Sequence, residues 1–352
     1  MKPDNKPLIF DGHNDLLSVL HNFGQTLNLD DFQNGLPGHL DLKKIRKGGF
    51  GGGFFAIWVS LAKDGNLRRN EMVGDSYDIP LPDPINVSEA LGPAIAQASI
   101  LHRLEAKGFL KICTDIQTFD DCINKEVIAA IMHIEGSEPI DPEFLNLDFF
   151  YRAGLRSIGP VWSRPNIFGH GVPFRYPSTG DVGPGLTDCG LRLVDFCDYH
   201  GMILDLSHLN EAGFWDVANR SQKPLIATHS NAYAICPHAR NLSDKQLAAI
   251  AESDGMVGLN FSVAFLRPDG QMDYDTELDV MISHLDYLIE KLGEDRVGFG
   301  SDFDGTFVPE GIADASGLSN LRNSLRLHGY NEELIKKLCY KNWRRVIEKV
   351  WH

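Results

Sequence analysis

Short apolar runs alternate with longer amphipathic stretches along the chain, the pattern of βα units feeding a parallel sheet. Residues 8–10, 54–60, 127–135 and 155–161 have strand length and strand flanks, as do 202–207, 224–229, 256–260 and 297–302. Helical periodicity fills much of the space between them, over 88–107, 244–252 and 279–292. The second helix opens on Ser243-Asp244-Lys245-Gln246, a capping box with Ser243 as N-cap, and Gly293 stands just past the end of the third. Eight strands with intervening helices predict an α/β fold, a (β/α)8 TIM barrel, which typically needs ~250 residues. The excess is expected in long active-site loops and terminal additions. Residues 63–83 are polar and proline-bearing, and 162–185 are rich in Gly, Pro and aromatics, so the second loop is expected to be an ordered cover over the site. No repeat, low-complexity tract or linker interrupts the pattern, and residues 1–352 are expected to form one domain.

Composition narrows the partners. The 352 residues carry a formal charge of −15, which argues against a nucleic acid or an anionic membrane surface. No stretch approaches the ~18 consecutive apolar residues that a membrane span requires. The N-terminal residues are polar and run straight into the first strand, without the pattern of a signal peptide. The chain ends Val350-Trp351-His352, too short an apolar stretch for the tail that precedes a lipid anchor. Cys113, Cys122, Cys189, Cys197, Cys236 and Cys339 are scattered with no Cys-x-x-Cys pair and read as reduced thiols of a cytoplasmic protein.

Catalytic groups of a (β/α)8 barrel sit at the C-terminal ends of its strands. Five of the expected strands end in side chains able to bind a metal. The first runs into Asp11-Gly12-His13-Asn14-Asp15, where His13 and Asp15, two apart, share one side of an extended segment. The third ends in His133-Ile134-Glu135, the fifth in Asp205-Leu206-Ser207-His208, the sixth in Thr228-His229 and the eighth in Asp302-Phe303-Asp304-Gly305. Each alone is more often structural: a core histidine with a satisfied ring, a carboxylate paired to an arginine, a turn. Five together point to a metal centre. Three histidines, an aspartate and a glutamate exceed the needs of one tetrahedral zinc with an open position. Two ions roughly 3.5–4 Å apart, sharing a carboxylate and a hydroxide, use them all. Asp302 is then free to hydrogen-bond the nucleophilic water and carry its proton to a leaving group, a set suited to amide or ester hydrolysis.

At these residues the chain resembles the membrane (renal) dipeptidase family, a branch of the amidohydrolase-type barrels. The likeness runs from Asp11-Gly12-His13-Asn14-Asp15 through His208 and His229 to the Asp302 motif, in matching order. It implies a zinc-dependent dipeptidase that attacks the peptide bond with the hydroxide bridging two zinc ions. By position, His13 and Asp15 resemble ligands of the first zinc, His208 and His229 ligands of the second, and Glu135 the bridging carboxylate. Asp302 resembles the proton-handling aspartate. The run His238-Ala239-Arg240-Asn241 also matches, so Arg240 resembles the residue that grips the substrate's terminal carboxylate; its alternative is a loop-anchoring salt bridge.

One position departs from the family. Where the best-known members carry a carbonyl-binding histidine after the fourth strand, an ungapped reading places Trp162, whose indole donates one hydrogen bond and no proton. His170 and Arg164 are the other candidates for that task. The departure opens a second reading, an amidohydrolase acting on N-acyl amino acids, lactams or lactones. A homodimer is compatible with either reading.

Overall fold

The structure is a computed structural model and describes residues 6–22, 29–60 and 69–351. Eight parallel strands form the barrel wall: β1 (Ile9–Asn14), β2 (Phe50–Trp58), β5 (Ile128–Glu135), β6 (Leu155–Gly159), β8 (Ile203–Leu204), β9 (Ile226–Ala227), β10 (Met256–Asn260) and β11 (Val297–Gly300). Neighbours in the wall are neighbours in this sequence of strands, with β11 returning to pair with β1. The seam between β8 and β9 is narrow: a single bridge, Asp205 to Ile226, joins them. The strands lie where the apolar runs predicted. The β10 limits coincide with the expected ones, while β8 and β9 keep only two ladder residues each.

Three further strands lie outside the eight. β4 (Leu110–Ile112) pairs with the first residues of β5. β3 (Tyr77–Ile79) and β7 (Phe174–Tyr176) form a separate antiparallel ribbon. That ribbon joins the two segments expected to be loops. Residues 63–68 of the first segment lie outside the described residues.

Helices cover the wall. The expected helices appear as Val87–Ala106, Asp244–Glu252 and Leu278–Leu292, and Ser243 caps the second, its Oγ and the Gln246 side chain forming the reciprocal box. The C-terminal helix Asn342–Val350, not anticipated from the pattern, plugs the lower end of the barrel. Trp343, fully buried, lies against Phe10 and Phe54 and donates its indole N–H to the Phe299 carbonyl at 3.0 Å. Gly12 has to be glycine here, because a Cβ would collide with the Thr228 carbonyl and the Trp343 ring. With the lower end filled, the open end carries the strand C-termini.

Candidate metal centre

His13 and Asp15 leave β1, Glu135 ends β5, His208 follows β8, His229 follows β9, and Asp302 follows β11. All but Asp302 are buried, and Asp302 is half-buried. The Glu135 carboxylate sits at the middle. Its Oε1 lies 3.1 Å from His208 Nε2 and 3.3 Å from His229 Nε2, and its Oε2 lies 3.6 Å from His13 Nε2. The Nε2 atoms of His208 and His229 are 3.1 Å apart, and His13 Nε2 is 3.4 Å from Asp15 Oδ2. Donor atoms of His13, Asp15 and Asp302 form a further group, all within 4.8 Å of one another.

The outer contacts fix which ring nitrogen faces inward. Asp205 Oδ2 accepts from the Thr228 hydroxyl at 2.6 Å, so that hydroxyl accepts from His229 Nδ1–H at 2.8 Å. Ser163 Oγ engages His208 Nδ1 at 2.8 Å. Both rings therefore present Nε2 to Glu135. Burial lowers the pKa of His208 and of His229 well below the usual histidine range, so both are neutral.

Two imine lone pairs and a carboxylate oxygen, mutually 3.1–3.3 Å apart, repel one another unless a cation lies among them. Tetrahedral ligand bonds of about 2.0–2.1 Å give ligand–ligand edges of roughly 3.3 Å, close to the triangle observed. Among the described residues neither ring nitrogen of His13 has a hydrogen-bond partner, although the residue is fully buried. An imidazole so placed is accounted for by a metal. Burial opposes charge on His13, yet the Glu135 and Asp15 carboxylates raise its pKa well above the usual range. Glu135 in turn is pushed by burial up to about 7. The centre is a sink for positive charge, and its donor set fits zinc.

Asp302 lies at the edge of this group, and Asn260 Nδ2 donates to its Oδ2 at 3.0 Å. The centre opens into a cavity of about 700 Å³, which Asp15, Glu135, His208 and Asp302 line on one side. Trp162 lines it too, its ring edge-on to Trp58 at 5.2 Å and tilted over His208 at 5.8 Å. Arg240 is buried, donating to Ser230 Oγ at 3.0 Å and to the His229 carbonyl at 2.9 Å. It forms no salt bridge with the described carboxylates; burial lowers its pKa only to about 10, so it stays charged. Its guanidinium is 5.9 Å from the Phe265 ring centroid, and Phe265 rather than Arg240 forms the cavity wall there.

His170 is not brought to the cavity; its carbonyl accepts from Asn210 N at 3.2 Å. Arg164 is buried and faces Glu138 and the Val59 carbonyl, a structural position. Sequence reasoning gave no role to Asp205, Thr228, Ser163 or Asn260, the groups that orient the inward-facing side chains. Asp205 and Thr228 stood within the strand-end motifs and were the legible ones; Ser163 and Asn260 carry no local signal.

Residues 5–352 match the family model described as membrane dipeptidase (peptidase family M19). A metallopeptidase from Rhodobacter sphaeroides, solved with a phosphinate mimic of the dipeptide L-Ala-D-Ala, superposes with a TM-score of 0.96 at 46% identity, over 99% of this chain and 100% of that one. An uncharacterized protein from the pqqA 5′ region of Klebsiella pneumoniae is 47% identical over 257 residues, 72% of this chain and 95% of its own. An uncharacterized dipeptidase of Schizosaccharomyces pombe is 29% identical over 355 residues, 97% of this chain and 80% of its own.

Proposed function

The chain belongs to the membrane dipeptidase family, and from that premise we propose that it hydrolyses dipeptides with two zinc ions held at the open end of the barrel. Membership makes it a metallo-dipeptidase. The observation that carries the finer reading is Glu135, which turns one oxygen to His208 and His229 and the other to His13. His13 and Asp15 would hold one zinc and His208 and His229 the other, with the Glu135 carboxylate between the two pairs. When bound, the ions supply a water deprotonated near neutral pH and an electrophile for the carbonyl.

The chain's own residues do the rest. Asp302, steadied by Asn260, takes the proton of the attacking water and delivers it to the departing amine. Arg240, charged and without a salt bridge among the described residues, receives the substrate's terminal carboxylate. Trp162 closes the cavity beside His208 as an apolar surface. The mimic bound by the Rhodobacter sphaeroides relative supports dipeptides with a C-terminal D-residue among the substrates. All six cysteines are free, which supports a reducing, cytoplasmic location.

A panel of L,L- and L,D-dipeptides and N-acyl amino acids, run on zinc-loaded and chelated protein, tests this reading. The zinc-loaded form should cleave dipeptides and carry two zinc per chain by elemental analysis. A stoichiometry of one, or faster turnover of N-acyl amino acids, overturns it.

A further inference from the structure

The cavity has two unlike walls. Part of its lining is polar, with side chains such as Ser18, Asn22 and Asn70; another part is an apolar cluster of Met72, Ile79, Phe174, Phe265 and Met272. Three separate segments supply this apolar wall, and backbone and tyrosine contacts tie them together. β3 and β7 pair through Ile79 and Phe174, Met272 N donates to the Met72 carbonyl at 2.8 Å, and the Tyr77 and Tyr176 hydroxyls donate to the Gly270 and Pro268 carbonyls. The wall is thus a built surface.

Its position relates it to one end of the substrate. Phe265 lies over Arg240 on one side and stacks on Phe174 at 6.1 Å with an interplanar angle of 9°. Phe174 in turn meets His208 edge-on at 6.4 Å. On the cavity side, Phe265 and Phe174 therefore span from beside the Arg240 guanidinium to His208. A residue with its carboxylate at Arg240 and its amide nitrogen at the centre lies against this wall. The cavity presents there five side chains that carry no charge and no hydrogen-bond donor, so an acidic side chain laid against them loses water without gaining a partner. At about 700 Å³ it also holds far more than two methyl side chains.

We propose that the wall of Met72, Ile79, Phe174, Phe265 and Met272 selects dipeptides whose C-terminal residue carries a large apolar side chain, and excludes acidic ones there. This rests on the dipeptidase reading and on Arg240 as the carboxylate anchor.

The test is kcat/KM on the zinc-loaded enzyme for two matched series, Ala-Xaa and Xaa-Ala, with Xaa as Ala, Leu, Phe, Met, Asp and Lys in the configuration the enzyme cleaves. In the Ala-Xaa series Leu, Met and Phe should exceed Asp by about 100-fold or more, in keeping with 10–200-fold discrimination per well-placed apolar group. Met272→Lys, at a half-buried position that tolerates a long side chain, should lower the Phe-to-Asp ratio by at least about 10-fold, with Met272→Leu keeping it. A flat Ala-Xaa profile, a preference confined to the Xaa-Ala series, or an unmoved ratio in Met272→Lys overturns the wall's role and leaves the dipeptidase reading standing. No hydrolysis in either series overturns both.

Discussion

His208, Asp302 and Asp304 have left-handed backbone, with φ of 67°, 57° and 69°, a conformation that costs a non-glycine residue about 1–2 kcal/mol. Such strain at strand ends turns side chains back over the barrel mouth. At Asp302 the same turn lets its N–H donate to the His13 carbonyl at 3.0 Å, so β1 and the end of β11 are fixed to one another. Asp302 sits close enough to His13 and Asp15 to be read as a third ligand, and kinetics separate the roles. Asp302→Asn should lower kcat by about 10²–10⁴-fold at unchanged zinc content, the usual worth of a positioned acid–base group. Loss of one zinc per chain would make it a ligand instead. Arg240→Met should act on the other constant, raising KM by about 10–100-fold, the worth of hydrogen bonds to a charged group, with kcat little moved. An unaltered KM removes Arg240 from the site. These residues were legible in the sequence because histidines and carboxylates at strand ends have few other reasons to gather. His170 was not, because a loop residue's direction is set by contacts far along the chain, here to Asn210.

The apolar runs were legible as strands because both faces of a barrel strand are buried, and a run of β5's kind, Ile128–Glu135, has little other fate. β8 and β9 were read too long, since their last residues leave the ladder to aim side chains inward. The β3–β7 ribbon was not legible: three residues each, paired across almost a hundred positions, carry no local period. The C-terminal helix was missed for another reason. Trp343, Val346, Ile347 and Val350 form its buried face, but Arg344, Arg345, Glu348 and Lys349 between them hid the stripe in a polar segment. Its packing has a measurable weight. Trp343→Ala removes the largest side chain of the lower barrel and should cost about 3–5 kcal/mol in chemical denaturation. Zinc stoichiometry should persist in the folded fraction, since the ligands stand at the other end. A cost below about 1 kcal/mol would mean the plug is dispensable.

Barrel closure and metal binding meet at the seam between β8 and β9. The seams differ in width: β1 and β11 share one registered pair and the Asn14–Phe303 bridge, whereas β2 and β5 share seven pairs. At the seam a single bridge is backed by the bond from Leu206 N to the Ile226 carbonyl at 2.8 Å, and by the Asp205 carboxylate, which accepts from Thr228 N at 2.8 Å and from its hydroxyl. Asp205 thus takes the place of ladder bonds that two-residue strands cannot make. His208 and His229 stand on opposite sides of this gap, and Glu135 faces both from β5. A cation held by these three would tie this narrow joint to β5, and its dissociation would leave three electron-rich groups facing one another across the joint. Chelation should therefore lower the melting temperature, by an amount tied to about 2.7 kcal/mol at a free zinc level one hundred times the dissociation constant. The loss should also be local. Amide exchange should rise first at Leu206, Thr228 and their neighbours, and last in β2 and β5. Thr228→Val, which keeps the shape and removes the hydroxyl between Asp205 and His229, should weaken zinc binding by about 10–100-fold and loosen the same amides. Uniform loss of protection across all eight strands would show instead that the metal stabilises the barrel as one unit and that the seam is no weaker than the rest.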